Sequence, residues 1–475
     1  MEVNLSPKHF IANYKGMTGD KRLDTRAQSL CNNLSRCPGS TISKLSSSRA
    51  EQVAYYRLLE NEKLAEDDLI KELTGRVSPL VVGRDLLCIE DSSEINVSAN
   101  KNRLQSGSGL GLSDNADNAT CFKIHPGLVL DAQRFCPLGF SAIKIFHRDE
   151  QKPDRFERNY KRQPIEDKES YKWIEVSEAS KITLAQANSV TFVQDREGDI
   201  YEQFALIPNE KYHLLIRSRT TRNLHDGLDL YTVMQQLPVA GVYTIEIPAD
   251  KRKGRQKRTA EMAICYGTFQ IKRPANLNKS GYTPYITVQG VWAQEITPGI
   301  DQKDLVNWKL LTTHSINDVS DAVKMVEWYS ARWYIEQVFR LLKSEGFGIE
   351  GAQLETGWAL RKLIIMQLSS LLKILQMNIA YSDPEEDQSI EEVFSEAEIK
   401  VLVHLNKTLQ GKTIKTQNHN NPQKTKWAAW VVGRLGGWKG YDSQGPPGVI
   451  GLKKGMDRFN AIIEGINIAK DMCTG

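Results

Sequence analysis

Apolar positions follow three patterns along the chain, and each change of pattern marks a boundary. Up to about residue 70 the spacing is helical: Leu23, Ala27, Leu30 and Leu34 form one stripe, Lys21, Arg22 and Arg26 lie off it, and "RCPGS" (36–40) ends the helix. Next come short apolar runs separated by loops, "DLLCIED", "GLVLDAQ", "FSAIKIF", "SVTFVQD" and "YHLLIRS", the pattern of a mixed sheet covered on both faces. From about 220 to 306 the signal alternates, in "GVYTIEIP", "AICYGTFQIK" and "YITVQGVWAQ", with no helix between these runs. That predicts an all-β insertion within an α/β block. Its turn, "DKRKGRQKR", carries six cations in nine residues. Beyond the acidic loop "SDPEED" (382–387) the pattern is helical again, interrupted by a polar stretch at 406–426 that is expected to be a mobile loop. The last helix places Met456, Phe459, Ile463 and Ile466 on one face, either a dimer interface or an ordinary core stripe. The expected architecture is multidomain α+β: a helical domain over 1–70, an α/β domain over 71–372, and a helical domain over 373–475.

One helix breaks the usual rule for a solvated face. In "YSARWYIEQVFRLLKSEG" (329–346), Ala331, Ile335, Val338 and Leu342 make the apolar stripe. At about 100° per residue, Tyr329, Arg332, Glu336, Arg340 and Lys343 share the opposite face, with Trp333 beside them. Showing a phenol, an indole, a carboxylate and three cations to water points to a ligand that covers them.

Composition narrows the choices. A chain of 475 residues is long enough for two to four cores. Lys plus Arg (62) barely exceed Asp plus Glu (58), so any polyanion partner must be met by local clusters of charge. Seven Cys form no CxxC pair and no metal-ligand spacing with His, which fits reduced intracellular thiols. The start lacks the apolar core of a signal peptide. The most apolar stretch, "LIIMQLSSLLKIL" (363–375), is broken by Gln367, Ser369, Ser370 and Lys373, so no membrane span and a cytoplasmic location are expected.

Two strand-like runs end in acids, "LLCIED" at Asp91 and "VTFVQD" at Asp195. Ligands of α/β sheets collect at the carboxyl ends of strands, so these acids meet if their strands are neighbours, and Glu336 becomes the third. Oxygen ligands without His or Cys suit Mg²⁺ or Mn²⁺, and a pair of such ions about 4 Å apart supports in-line phosphoryl transfer. Taken singly, Asp91 and Asp195 are better read as turn or helix caps.

Tyr329, Arg332, Glu336 and Lys343 reproduce the Y-(2)-R-(3)-E-(6)-K signature, and by it the chain resembles the insertion-sequence-four family of bacterial DDE transposases. "IED" (89–91), "DREGDI" (195–200) and "WKLLTT" (308–313) resemble that family's two aspartate blocks and the strand before its glutamate helix. "GDKRLDTRAQSL" with "AYYRLLEN" resembles its amino-terminal DNA-binding region, and "WAAWVVGRLGGW" a carboxy-terminal segment. Order, spacing and length are most similar to the transposon-five type over essentially the whole chain.

The resemblance implies an RNase H-like (retroviral-integrase-like) catalytic core in which Asp91, Asp195 and Glu336 hold two divalent ions, Mg²⁺ with Mn²⁺ as a substitute. It implies double-stranded DNA as partner, both transposon ends and target, and a homodimer that cuts in trans. Tyr329, Arg332 and Lys343 would grip end phosphates, and Trp308 would receive a base flipped out at a hairpin, its alternative being a buried strand Trp. Arg217 would lie at the end-binding surface, Trp333 would add stacking or merely lid a neighbouring strand, and Arg26 and Arg57 would belong to the basic amino-terminal module. A structure-specific nuclease and a non-catalytic, transposase-derived repressor are the rival readings.

Overall fold

The computed structural model describes residues 10–100, 102–113, 119–148, 163–247, 258–277, 281–343, 346–382, 388–441 and 444–474. The basic turn 250–258 (apart from Arg258) and the acidic loop 382–387 (apart from Ser382) lie outside the described residues.

Helices α1 (Lys21–Arg36), α2 (Ile42–Leu45), α3 (Arg49–Glu60) and α4 (Glu66–Gly75) build the amino-terminal body. The Asp20 side chain caps α1 by accepting the Arg22 N–H, and the helix ends at Arg36, where the "RCPGS" breaker begins. Leu23, Ala27, Leu30 and Leu34 are its buried stripe.

Every strand expected from the pattern forms. The strands are β1 (Asp85–Glu90), β2 (Ser93–Asn96), β3 (Gly111–Leu112), β4 (Thr120–Asp131), β5 (Pro137–Phe146), β6 (Ser189–Gln194), β7 (Tyr212–Arg217), β8 (Gly241–Ile247), β9 (Arg258–Lys272), β10 (Tyr285–Glu295) and β11 (Asn307–Thr312). They join one 11-stranded sheet in the order β2-β4-β1-β6-β7-β11-β10-β9-β8, with β3 and β5 also on β4. β1, β6 and β7 are parallel neighbours, and the other pairs are antiparallel. The segment about 220–306 contributes β8, β9 and β10, which extend the central sheet, and a short helix, α7 (Leu230–Gln235), precedes them.

Period-two alternation sorts the strand residues to two cores. Leu86, Cys88, Val190 and Phe192 face a layer that includes Ile174 of α5 (Tyr171–Thr183), Phe204 of α6 (Tyr201–Leu206) and Met234 of α7. Leu87, Ile89 and Val193 face the other core, shared with α8 (Val319–Ser330), α9 (Trp333–Leu342) and α10 (Gly357–Ser382).

α10 is the tie between the three regions. By length and apolar content it could cross a membrane, yet its most apolar window is 89 % buried inside the fold. Its polar residues are bonded in every direction: Lys362 donates to Asn61 O (2.8 Å), Arg361 to Gly109 O (2.6 Å), Gln376 to Pro137 O (2.8 Å) and Lys373 to Glu398 of α11 (Glu396–Leu409, 2.6 Å). Residues 372 and 373 fall inside this unbroken helix, so the expected boundary there does not separate two structural units.

Two expectations for the carboxy-terminal part change. The stretch 406–426, expected as a mobile loop, is built from the end of α11, a helical turn at Ile414–Thr416 and the start of α12 (Thr425–Leu435); Asn418 pins it by donating to Asn406 Oδ1 and Trp427 O, both at 3.1 Å. In α13 (Val449–Thr474), Met456, Phe459 and Ile463 are buried within the same chain, so the stripe is core for these three, and only Ile466 is half-buried. An amphipathic stripe looks the same in sequence whether its cover comes from the same chain or another. Phe459, fully buried and edge-on to Phe394, gives a direct check. Phe459→Ala should destabilise the folded subunit by about 3–5 kcal/mol in denaturant titration, with no dependence on protein concentration.

Candidate active site

β1 and β2 lie on the same edge of β4, β1 opposite Gly127–Asp131 and β2 opposite Cys121–Ile124. Between them the ladder breaks at Asp91 and Ser92, facing His125 and Pro126. Pro126 has no N–H to offer, so the break forfeits no bond from that residue. The break lets the Asp91 carboxylate leave the strand. Its Oδ1 accepts the Ser92 N–H (2.8 Å), and its Oδ2 accepts Arg332 Nη1 (2.6 Å). Asp195, one residue past β6, caps the turn Arg196–Gly198 by accepting the Glu197 N–H (2.7 Å). Asp195 therefore does serve as a turn cap, while the only backbone N–H that Asp91 accepts among the described residues is that of its neighbour Ser92. Each turn or backbone bond uses only Oδ1.

The helix expected across 329–346 is two helices. α8 ends at Ser330 and α9 starts at Trp333, with i→i−3 bonds from Tyr334 to Ala331 and from Ile335 to Arg332 across the break. The break separates Tyr329 from the solvated face to which a single helix would assign it. Tyr329 is buried, edge-on to Trp308 at 5.4 Å, with the positive charge of Arg217 nearby. Trp308 is half-buried in this contact, so its ring has a structural partner inside the fold. Trp333 is 54 % exposed at the start of α9. Lys343 closes α9 through its backbone N–H to Phe339 O.

Arg332 organises the acids. Beyond Asp91, its Nη2 donates to Glu336 Oε1 at 2.5 Å, so one guanidinium bridges two carboxylates, and Asp195 adds to the field that stabilises its charge. Burial pushes the Asp91 carboxyl up to about 7; Arg332 opposes the shift, while Asp195 and Glu336 add to it. Burial and desolvation lower the Arg217 guanidinium, against the pull of Tyr329.

The other two sequence-expected residues lie elsewhere. Arg26 lines an open groove between α1 and α3 together with Lys21, Arg22 and Tyr55, and Arg57 is exposed on α3 outside that lining.

A buried polar group behind the acids was not anticipated. Glu90, His125, Ser177 and Gln194 have no exposed surface, and burial raises the Glu90 carboxyl to about 8. The signal available in sequence was a polar residue directly before each acid, in "IED" and "VQD", inside otherwise apolar strands.

Two family models match the chain. The one described as transposase DNA-binding covers residues 18–64, and the one described as transposase DDE domain covers residues 147–372. The chain carries the DNA-binding and DDE domains of a transposase. DNA is thus its partner, and nuclease and strand-transfer chemistry is its class of reaction. The DDE domain implies an RNase H-like fold, with which the large mixed α/β sheet and the helices at both ends agree. Arg26 and Arg57 fall in the first match. Asp195, Arg217, Trp308, Tyr329, Arg332, Trp333, Glu336 and Lys343 fall in the second, and Asp91 precedes it.

DDE domains use divalent metal ions, generally Mg²⁺. The donor set fits, being carboxylate oxygen throughout. As placed, no three acidic, His or Cys side chains among the described residues converge on one ion position. The Arg332 guanidinium stands between Asp91 and Glu336 and supplies positive charge there.

The raised Asp91 carboxyl has a consequence for the metal-free transposase. Between its unfolded value near pH 4 and its folded value near pH 7, the folded state holds a proton that the unfolded state has released. Stability therefore falls as pH rises through that window, by up to about 1.4 kcal/mol per pH unit from this group. In EDTA, Asp91→Asn should flatten this part of the stability profile measured by denaturant titration from pH 4 to 8.

Proposed function

We propose that this transposase, of the insertion-sequence-four family and transposon-five type, works by cut and paste in the bacterial cytoplasm, on nucleoid DNA. It nicks each element end, forms and opens a hairpin, and joins the 3′ ends to target DNA. The observation that carries this reading is that two neighbouring parallel strands present Asp91 and Asp195 at their carboxyl ends, while Arg332 ties Asp91 to Glu336 of the adjoining helix. In this reading those three acids hold two Mg²⁺ ions, or Mn²⁺ in their place, which when bound would activate the attacking hydroxyl and stabilise the leaving oxygen.

The chain's own groups position the DNA. Arg332, Lys343 and the Tyr329 hydroxyl, with Arg217 behind it, take phosphates of the element end, which fixes register without reading bases. Because Arg332 is held by Asp91 and Glu336, turning it to a phosphate frees both carboxylates, so arrival of the end and readiness of the acids are coupled. Trp308 receives the base flipped out at the hairpin, and the exposed Trp333 offers a second stacking surface. The cationic groove of α1, with Arg26, and the neighbouring Arg57 grip the end more distantly.

The labour divides along the chain: 1–70 binds ends, 71–372 cuts and joins, and 373–475 serves dimerisation. Two ends need two active sites, and a symmetric homodimer provides them, each subunit cutting the end that the other holds.

The test is incubation with candidate end DNA, target DNA and Mg²⁺, read on a denaturing gel. Hairpins and joined products are expected; cutting without joining would favour a structure-specific nuclease, and binding alone a repressor. Glu336→Gln should abolish nicking, hairpin formation and strand transfer while end binding by gel shift persists, because all steps share one site. Trp308→Ala should nick normally yet close hairpins about 5- to 150-fold more slowly, the rate equivalent of ~1–3 kcal/mol of stacking, so nicked DNA should accumulate. Equal slowing of both steps would assign Trp308 to the core alone.

A further inference from the structure

The residue before each strand-end acid is polar, and both are fully buried. Parallel register pairs Ile89 with Val193, which sets Glu90 beside Gln194 one step further along. Alternation turns both toward α5 and turns Asp91 and Asp195 toward the opposite face. There, Gln194 Nε2 donates to Glu90 Oε2 at 2.7 Å, and Ser177 Oγ of α5 donates to Glu90 Oε1 at 2.9 Å. Gln194 also reaches Ser177 (3.2 Å), as does Gln203 of α6 (3.1 Å). The turn capped by Asp195 closes onto the same group: a Cβ on Gly198 would stand 2.4 Å from Gln194 Oε1 and 2.9 Å from its Cβ.

We propose that Glu90, Gln194 and Ser177 are positioning residues that fix the separation of Asp91 and Asp195 and so tune the affinity of the acid cluster for divalent ions. This rests on the reading of those two aspartates as metal ligands. Four buried polar side chains are not the cheapest way to fill a layer between a helix and a sheet. Each must be bonded to offset its desolvation, the Gln194 and Gln203 amide oxygens have no partner among the described residues, and apolar residues of similar size carry no such cost. What a bonded rung supplies is direction and rigidity. It sits one residue beneath two carboxylates whose mutual repulsion pushes the strand ends apart, and Ser177 anchors it to a helix that the acids do not touch. A cluster held at the right spacing before the ion arrives binds it with less rearrangement.

The experiment measures Mn²⁺ binding to the full chain by electron paramagnetic resonance, with thermal unfolding in EDTA alongside. Gln194→Leu keeps the volume and removes the rung; it should weaken Mn²⁺ binding about 10-fold, the lower end of what loss of a ligand's own hydrogen-bond partner costs, because the rung acts one residue behind the ligands. The EDTA unfolding temperature should hold or rise. The reciprocal double variant, Glu90→Gln with Gln194→Glu, rebuilds a carboxylate–amide rung and should recover most of the lost affinity, which a packing defect would not. Ser177→Ala, the mildest change, reads the same quantity should Gln194→Leu fail to fold. Unchanged Mn²⁺ affinity in a folded rung variant, or a double variant no better than the single one, overturns the proposal. Asp195→Asn separates the two readings: if it leaves Mn²⁺ binding intact, the assignment of the acids fails, whatever the rung does.

Discussion

Parallel pairing of β1 with β6 is the constraint on which the site depends. Both strands lie inside the sheet, β1 flanked by β4 and β6 by β7, and each carries a buried polar side chain, Glu90 or Gln194, that has its partner on one face alone, so a one-residue slip would bury it without that partner. Their carboxyl ends deliver Asp91 and Asp195 to one place, and like charges there are costly as burial removes water. The rest of the arrangement answers that cost. Arg332 bridges Asp91 and Glu336 from the helical side, and the buried rung holds the strands from the other.

α10 makes the sheet and its two helical flanks mechanically one object. Its buried cations could not stay inside an apolar helix unpaired, and each finds its acceptor in a different region: Lys362 at Asn61, Arg361 at Gly109, Lys373 at Glu398. Of the polar interruptions that argue in sequence against a membrane span, Lys373 pairs with Glu398, Ser369 accepts a bond from Arg76 (2.7 Å) and Ser370 donates to Ser35 (3.4 Å), so three of the four also tie α10 to its neighbours. The DNA-binding region, residues 18–64, therefore rests on the same support as the sheet, since α1, α3 and α4 all pack on α10.

The strands, and the position of Asp91 and Asp195 just past two of them, were legible because period two and continuous apolar runs are backbone properties that every tertiary context preserves. The helix carrying Glu336 was only half legible. Its break at Ala331–Arg332 contains neither Gly nor Pro, and what accompanies it is tertiary, the burial of Tyr329 against Trp308. A helical wheel drawn through the break therefore assigns Tyr329 to the wrong side. The Met456 stripe stayed ambiguous for a related reason: covering surface is nonlocal information. The rung behind the acids was visible only as two polar letters, Glu90 and Gln194, and nothing in one sequence says that two such letters, a hundred residues apart, touch.

Charge shows the same dependence on placement over amount. With 62 cations against 58 anions, the chain has little overall attraction for DNA. The amino-terminal groove is cationic because its lining sets Lys21, Arg22 and Arg26 against a single acid, Glu51. Asp24, on the same helix as Lys21, Arg22 and Arg26, is turned inward, where it accepts the Gly16 N–H (2.7 Å), the Thr18 N–H (2.9 Å) and the Thr18 hydroxyl (2.7 Å), bonds that hold its carboxyl below the usual range. Glu51, which does line the groove, is engaged by Ser47 and Tyr55. Each carboxylate still carries its charge, but Asp24 faces away from the groove and Glu51 is tied to local donors. The surface that remains for a phosphate backbone presents Lys21, Arg22 and Arg26, so a nearly neutral chain meets a polyanion with a local excess of positive charge.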